Sequence, residues 1–304
     1  MTFSRTAGLF PGQGSQAVGM GQELVERFQL ARDTFAEADD LLGFALSALC
    51  FAGPAEELKR TSVVQPALVT ISTACWRVLA SRDFQCDAVA GHSLGEYSAL
   101  VAAGALAFPD ALRLVRRRGE LMEEAAAHAP GGMAAILGLS DAEVRELCED
   151  VAKDHGTLVA ANFNSPGQVV VSGTSDAIAA ARNAAKECGA RAIPLAVSGP
   201  FHSPLMREAA DAFAEVLATV PIAVPSIPVI PNVTADPTTD PAIIRDALER
   251  QITGAVQWIR TVYAMRDMGI QRFVEIGPGS VLSGLVQRTS PEVQVCNVME
   301  LLVE

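Results

Sequence analysis

Several residue types are scarce in this chain, and each scarcity excludes a class of protein. Aromatic residues make up only 5% of the 304 residues, so the core has to be built from Ala, Val, Leu and Ile, as in helices packed on a sheet. Lys and Arg number 23 against 35 Asp and Glu, which gives a net charge of −12. Nucleic acid is therefore not the expected partner, because phosphate binding needs a dense positive surface.

Long apolar runs and paired cysteines are also absent from the sequence. The longest uncharged apolar run, 97–108, is shorter than the ~20 residues that span a bilayer. Residues 1–20 lack the apolar core of a signal peptide. The six cysteines form no C-x-x-C pair, which is typical of a reducing compartment and not of a disulfide framework or metal site. We therefore expect a cytoplasmic protein with no metal and no membrane contact.

Strand-like and helix-like segments alternate along the chain, which predicts an α/β fold with a largely parallel sheet. For the larger part of the chain, the pattern predicts strands at 6–10, 87–90, 228–232 and 272–276, and helices at 21–38, 65–80, 109–127, 206–217, 241–251 and 256–268.

The middle of the chain has a different order of elements. Residues 130–198 read as β-α-β-β-α-β, the ferredoxin-like arrangement, with a capping box at Ser140 and Glu143. The predicted organisation is an α/β-hydrolase-like large domain, residues 1–128 and 199–304, with a small ferredoxin-like subdomain, residues 129–198, inserted into it.

The sequence GHSLG at 91–95 fits the pattern G-x-S-x-G between an apolar strand and a helix. This context predicts a nucleophile elbow, in which a tight turn exposes the hydroxyl of Ser93 beside a helix N-terminus. The backbone N–H groups there can stabilise a developing oxyanion.

A serine nucleophile needs a base, and the chain has only four histidines. His128 and His155 lie in polar segments, and His92 is adjacent to Ser93 on a sharp turn, where neighbouring side chains point apart. His202, in a loop between two prolines, remains as the predicted base by elimination. No Asp or Glu stands out as a third member, although a backbone or amide oxygen can also orient an imidazole.

The loop GQGSQA at 12–17 matches the loose dinucleotide fingerprint G-x-G-x-x-A, so a nicotinamide-dependent oxidoreductase is a rival interpretation. Pro11 before the first glycine and the lack of a strand-ending acidic residue weaken it. The loop can instead bring a second N–H close to the serine. The sequence GPGS at 277–280 lacks the Lys of a phosphate loop and predicts a tight turn.

Arg118 is the last of three consecutive arginines on a predicted helix. An exposed basic face is the simpler interpretation for this run. The sequence GELM that follows Arg118 allows its face of the helix to turn inward, where a buried arginine usually holds a carboxylate.

These motifs, in this order, resemble the malonyl-CoA:acyl carrier protein transacylases and the related acyltransferase domains of polyketide synthases. The resemblance covers nearly the whole chain. It rests on FPGQGSQ at 10–16, GHSLGE at 91–96, RG at 118–119, NFNSPGQ at 162–168, FHSPLM at 201–206, NV at 232–233, Gln251 and EIGPG at 275–279.

The resemblance implies a ping-pong reaction through a malonyl-serine on Ser93, with His202 as the base and the backbone carbonyl of Gln251 orienting it. It implies an oxyanion hole made by the N–H groups of Leu94 and Gln13. Further implied substrate contacts are Arg118 to the malonyl carboxylate, Phe201 as a bulky ring that favours malonyl over methylmalonyl groups, and Asn162 and His92 as pocket residues.

The implied partners are malonyl-CoA and an acidic carrier protein that binds transiently, with no cofactor and with a monomeric enzyme. Because this chain is acidic too, docking would need a local basic patch near the cleft. Candidate residues are Arg116, Arg117, Arg191, Arg207 and Arg288.

Other functions stay open at this point. The same nucleophile could release acyl groups to water as a proofreading thioesterase, or serve a polyketide synthase as a trans-acting acyltransferase. A buried Arg118 argues against hydrolysis of neutral acyl chains. A non-catalytic binding protein is disfavoured by the intact set of Ser93, His202 and Arg118.

Overall fold

The computed structural model describes residues 5–303, which contain one parallel and one antiparallel sheet. The strands are β1 (Thr6–Phe10), β2 (Ala88–Gly91), β3 (Gly131–Leu137), β4 (Leu158–Ser165), β5 (Gln168–Thr174), β6 (Arg191–Pro194), β7 (Arg272–Glu275) and β8 (Gln294–Asn297). The helices are α1 (Gln22–Arg27), α2 (Gln29–Leu42), α3 (Leu46–Ala52), α4 (Ala55–Leu58), α5 (Thr61–Ala80), α6 (Gly95–Ala102), α7 (Phe108–His128), α8 (Asp141–His155), α9 (Ser175–Glu187), α10 (Arg207–Ala218), α11 (Pro241–Gln251), α12 (Trp258–Asp267), α13 (Val281–Thr289) and α14 (Val298–Val303).

The parallel sheet has the strand order β2-β1-β7-β8. Ala7 on β1 pairs with Ala88 on one side and Phe273 on the other. Every residue of β1 and β2 is buried, because helices cover both faces of the sheet. The small apolar residues of these strands are thereby explained, and the predicted α/β fold with a parallel sheet is confirmed.

The strand predicted at 228–232 is wrong. Val229 makes only isolated bridges, to Val89 and to Thr238. Two of the five residues in this segment, Pro228 and Pro231, are prolines, and a proline has no N–H with which to extend a ladder.

The helix predicted at 21–38 is two helices, α1 and α2. Phe28 between them is extended, with φ −125° and ψ 125°, and its N–H caps α1 by donating to the carbonyl of Leu24. The Phe28 ring lies against the guanidinium groups of Arg27 and Arg82. This ring contact accompanies a break that helical periodicity alone does not predict.

Helix α5 begins four residues before the predicted start, and 16 of its 20 residues are buried. It is long and apolar enough to cross a membrane by length and composition, but 83% of the apolar window is buried inside the fold. It packs beside α2 and α7, as the core helix of a globular fold does.

The antiparallel sheet has the order β4-β5-β3-β6, with α8 and α9 as the two helices. This is the predicted ferredoxin-like βαββαβ arrangement. The capping box is present: the Ser140 hydroxyl accepts from the Glu143 N–H, and the Glu143 carboxylate accepts from the Ser140 N–H. The boundaries at 129 and 198 stay a prediction.

The segment between α11 and α12 pairs with β4 and so ties the antiparallel sheet to the larger part of the fold. The Phe163 N–H donates to the carbonyl of Val256 at 2.9 Å, and the Val256 N–H donates to that of Ala161 at 2.8 Å. The candidate site lies in the cleft between the two sheets, where β2 ends and the chain returns from β6.

Candidate active site

Ser93 stands on a tight turn between β2 and α6, with φ 50°, in the left-handed region that non-glycine residues rarely adopt. The flanking glycines make the turn possible. A Cβ on Gly91 would lie 1.8 Å from the carbonyl carbon of Gly95, and a Cβ on Gly95 would lie 2.0 Å from the carbonyl oxygen of Phe10. The sequence context of this serine is thus explained by close backbone packing.

His202 lies opposite Ser93, and its Nε2 is 2.8 Å from the serine Oγ. Its Nδ1 is 2.9 Å from the carbonyl oxygen of Gln251 and 3.0 Å from that of Gly254. Carbonyl oxygens only accept hydrogen bonds, so Nδ1 carries the proton and Nε2 is left to accept the serine proton. Two backbone carbonyls occupy the place of a triad carboxylate.

Burial, as the largest cause, and the positive charge of Arg118 together lower the pKa of His202 from 6.5 to about 3. Hydrogen bonds to the carbonyls of Gln251 and Gly254 oppose this shift. The imidazole is therefore neutral at physiological pH, as a base for Ser93 has to be.

Arg118, on α7, is 1% exposed and points at the serine. It donates to Gln65 Oε1 at 3.0 Å, to Gln251 Oε1 at 3.1 Å and to Ser93 Oγ at 3.3 Å. Within residues 5–303 its Nε has no hydrogen-bond partner, and the guanidinium forms no ion pair with a carboxylate. Desolvation lowers its pKa. A buried guanidinium whose partners are neutral is suited to receive a carboxylate.

A cavity of about 200 Å³ opens onto these groups. It is lined by the serine, the histidine and the arginine together with all but one of the other predicted catalytic, oxyanion and pocket residues: Gln13, Leu94, Asn162, His92 and Phe201. The exception is Gln251, which is fully buried behind the reacting groups.

Leu94 precedes the first turn of α6, where backbone N–H groups lack intrahelical acceptors. The Ser93 N–H is already used, since it donates to Asn232 Oδ1 at 2.6 Å. The Gln13 loop lies against the serine turn, because a Cβ on Gly12 would be 2.4 Å from the His92 carbonyl oxygen. Two loops that can present N–H groups thus flank the serine.

The same loop does not have the geometry of a dinucleotide site. The first helix after Gly12 begins only at Gln22, so no helix begins directly after the glycines, as the dinucleotide fingerprint requires. At the other glycine-rich turn, Glu275 accepts from the N–H groups of Leu282 and Ser283 at the start of α13. That helix end is thereby occupied by a carboxylate of the protein itself.

His92 contributes to the pocket wall. Its Nε2 is 2.8 Å from Asn164 Oδ1, and its ring lies 5.4 Å from that of Trp258. Burial lowers its pKa. Asn164 is one of the site residues that sequence reasoning missed, although it lies inside the NFNSPGQ segment.

The other missed residues are three buried polar side chains, Gln65, Glu96 and Asn232, and the half-buried Gly254, whose backbone carbonyl contacts His202. Glu96 and Asn232 belong to short motifs quoted above, but no spacing rule connects residues 136 positions apart. Gln65 lies among buried, mostly apolar residues of α5. A polar amide in such a helix is the sequence signal that could have marked it.

The structure does not bring the five candidate docking arginines together. Arg288 is exposed and lines the cavity. Arg116 and Arg117 lie on another face of α7 and pair with Glu120. Two more line no part of the cavity: Arg191 and Arg207.

In the described part of the chain, no group of three or more His, Cys, Asp and Glu side chains is placed to hold a metal ion. A serine hydrogen-bonded to a neutral, carbonyl-oriented histidine, on a strained turn after a parallel strand, defines a class: α/β enzymes that form acyl-serine intermediates. The model of the acyl transferase domain matches residues 9–303, and the chain belongs to this family.

Relatives in this family are similar over almost their entire length. The malonyl CoA-acyl carrier protein transacylase of Salmonella typhimurium is 49% identical, over 92% of this chain and 91% of the relative. That of Bacillus subtilis is 48% identical, over 98% of this chain and 94% of the relative.

Solved structures agree with the fold. The malonyl CoA-acyl carrier protein transacylase of Coxiella burnetii has a TM-score of 0.95 at 40% identity, covering 99% of this chain and 96% of that one. A malonyl-transacylase in complex with a holo type II PKS acyl-carrier protein has a TM-score of 0.94 at 44% identity, covering 97% and 96% of the two chains. The predicted resemblance and fold class are confirmed.

Proposed function

We propose that this protein transfers the malonyl group from malonyl-CoA to the phosphopantetheine thiol of an acyl carrier protein, through a malonyl-serine on Ser93. The observation that carries the acyl specificity is Arg118, a buried guanidinium with neutral partners, 3.3 Å from the serine oxygen. The relatives' names supply malonyl-CoA and the carrier protein as substrates of this family.

In the first half-reaction, His202 Nε2 takes the proton from Ser93 Oγ as that oxygen bonds to the thioester carbonyl carbon. The carbonyl oxygen becomes an oxyanion that the N–H groups of Leu94 and Gln13 would stabilise. When the carbon–sulfur bond breaks, the departing thiolate takes the proton from Nε2, and coenzyme A leaves as a thiol. The enzyme then carries a serine ester.

The second half-reaction reverses these roles. The carrier's thiol gives its proton to His202 Nε2 and attacks the ester carbonyl, and the bond to Ser93 Oγ breaks as that oxygen regains the proton. Malonyl-thioester forms on the carrier, and the free enzyme returns. The reaction involves no change of oxidation state and no cofactor.

Arg118 would pair with the free malonyl carboxylate. A carboxylate in a partly dry pocket costs several kcal/mol if it is left unpaired, so the arginine selects acids over neutral acyl groups. Phe201, 5% exposed at the pocket wall, would restrict the space beside the acyl α-carbon.

The identity of the second acceptor, the thiol of an acyl carrier protein, is part of the proposal, and other acceptors would give other functions. Water would make the protein a hydrolase. A type II PKS acyl-carrier protein, the kind of protein bound in the solved complex above, would make it a trans-acting acyltransferase of a polyketide synthase. We also infer that residues 129–198 form a small subdomain and that Arg288 contributes to docking of the carrier protein. We further infer that the protein is a monomer in solution and is located in the cytoplasm.

Intact-protein mass spectrometry after mixing with malonyl-CoA tests the first half-reaction. We expect a malonyl adduct on the wild type, no adduct on Ser93→Ala, and a strongly reduced one on Arg118→Ala. An absent wild-type adduct, or equal labelling by acetyl-CoA, would contradict the proposed function.

A further inference from the structure

Glu96 is a buried carboxylate in the first turn of α6, 1% exposed and three residues after the serine. Its Oε2 accepts from the Asn232 N–H at 2.9 Å and from Gln251 Nε2 at 2.7 Å. Its Oε1 has no hydrogen-bond partner in the described part of the chain. Burying a carboxylate is costly even when its oxygens accept hydrogen bonds. The transfer steps described above give Glu96 no role, so its presence behind the serine needs another explanation.

Gln251 links Glu96 to each reacting group, through its side chain and its backbone carbonyl. Its Nε2 also donates to the backbone carbonyl of Ser93 at 3.0 Å, and its Oε1 accepts from Arg118 Nη2 at 3.1 Å. Its backbone carbonyl accepts from His202 Nδ1 at 2.9 Å. One glutamine thus contacts the serine loop, the histidine and the arginine.

An amide side chain can face either way, and here only one orientation fits. If the amide of Gln251 were reversed, its NH₂ would face the guanidinium of Arg118 and its oxygen would face the Glu96 carboxylate. Glu96 Oε2 accepts and cannot donate, so it fixes Nε2 toward itself and leaves Oε1 for the arginine.

Glu96 holds a second loop in the same way. The Asn232 backbone donates to Oε2, while the Asn232 side chain accepts from the Ser93 N–H and donates to the Gly91 carbonyl at 2.6 Å each. The turn that exposes the nucleophile is therefore fastened from both sides by groups that meet at one carboxylate oxygen.

We propose that Glu96 is a positioning residue: it fixes the Gln251 amide and the Asn232 loop, and through them the relative placement of Ser93, His202 and Arg118. The effect on acyl selection rests on the proposed function. The effect on the serine and histidine does not, since any reagent that attacks the nucleophile reports it.

The geometry separates hydrogen bonding from charge. Both donors reach Oε2, so in Glu96→Gln the amide oxygen can take that place and keep both bonds, while the NH₂ takes the place of the unpartnered Oε1. Glu96→Met has nearly the same volume and removes the acceptor. A positioning role predicts that the glutamine variant rescues what the methionine variant loses.

The first readout is the rate of Ser93 modification by diisopropyl fluorophosphate, a neutral reagent, and the second is the ratio of malonyl to acetyl labelling from the two CoA esters. We expect Glu96→Met to slow the first by roughly 10- to 100-fold, as displaced reacting groups do, and to lower the second by about tenfold. Glu96→Gln stays within about threefold of the wild type in both.

Glu275→Met is the matched control, because Glu275 is also a fully buried carboxylate, which caps α13 instead of the serine turn. We expect it to lower the melting temperature and leave the labelling ratio unchanged. A Glu96→Gln variant as slow as Glu96→Met, or a Glu96→Met variant as fast as the wild type, would overturn the proposal.

Two further results keep the test decisive. If Glu96→Met does not fold by circular dichroism, the Glu96→Gln rate alone decides, with a loss above tenfold counting against positioning by hydrogen bonds. If the wild type reacts with the fluorophosphate and not with malonyl-CoA, the proposed function fails. The fluorophosphate rates of the variants still test the positioning role of Glu96 in that case.

Discussion

The two walls of the cavity are built from different kinds of residue. The wall on the side of the parallel sheet carries a hydroxyl, an imidazole and a guanidinium: Ser93, His202 and Arg118. The wall on the side of the antiparallel sheet carries amides and apolar side chains: Met133, Asn162, Asn164, Gln168 and Val170. No ionisable side chain of the antiparallel sheet, within the described residues, lines the cavity.

The difference indicates a division of labour. The serine and the histidine both have positive φ, 50° and 58°, and each is held by a hydrogen bond to a neighbouring loop or helix end. Neutral groups on the other wall can only shape the pocket and offer single hydrogen bonds. Substitutions on the first wall should therefore act on rate, and those on the second on substrate affinity.

The largest expected effect is that of His202→Ala. Without the base, acylation of Ser93 by malonyl-CoA should fall by about 10⁴-fold or more, as for nucleophile–base pairs that act as a unit. Rapid-quench mass spectrometry of the acyl-enzyme measures the rate. A loss below about tenfold would show that another group takes the serine proton.

Arg118→Ala should have the next largest effect, confined to acids. Loss of the charged partner of a buried carboxylate corresponds to about 2–5 kcal/mol, so malonyl labelling should fall by roughly 30- to 4,000-fold. Acetyl labelling should change far less. Arg118→Lys should recover little, because a lysine cannot reproduce the fork of donors. Equal losses for both acyl groups would mean that Arg118 serves the fold and not the substrate.

On the opposite wall, Gln168→Ala should raise the KM for malonyl-CoA by about two- to tenfold and leave kcat close to the wild type, the cost of one neutral hydrogen bond. Steady-state kinetics separates the two constants. A fall in kcat as large as that of Arg118→Ala would break the distinction between the walls.

The smallest expected effect is that of pH. Burial and the charge of Arg118 set the pKa of His202 at about 3, with His92 also near, so the imidazole should stay neutral from pH 5 to pH 8. Glu96, whose pKa burial raises to about 7, can take its proton on the unpartnered Oε1 without losing either hydrogen bond. The acylation rate should then be level across this range.

The lowered pKa of His202 also has a consequence for stability. Between about pH 3 and pH 6.5 the unfolded state binds a proton at His202 that the native state does not. The contribution of His202 to the free energy of unfolding should therefore fall as the pH drops through this window. Urea titrations at several pH values give the free energy of unfolding of the wild type and of His202→Gln. If the two free energies changed with pH in parallel, the assigned pKa would be contradicted.

The features of this site that could be predicted from the sequence depend on residues close together in the chain. The serine turn followed from two glycines within five residues, and His202 followed from a choice among four histidines. The ferredoxin-like order followed from local periodicity and caps. These signals lie within one or two elements of the chain.

The support behind the reacting groups could not be derived in the same way. The carbonyl of Gln251 is 49 residues from the histidine that it orients, and its role came only from the resemblance. Glu96 and Asn232 meet across 136 residues, where the Glu96 carboxylate accepts from a backbone N–H that does not depend on the asparagine side chain. Such contacts depend on how the loops converge, which residue types do not encode locally.

The most direct test of the account is a chase of the isolated malonyl-enzyme. The adduct is freed of malonyl-CoA and mixed with a holo acyl carrier protein, and both proteins are weighed. We predict that the enzyme loses the malonyl mass as the carrier gains it, faster than the adduct decays in buffer alone. An unchanged carrier with free malonate appearing at the same rate with and without it would contradict the transferase assignment.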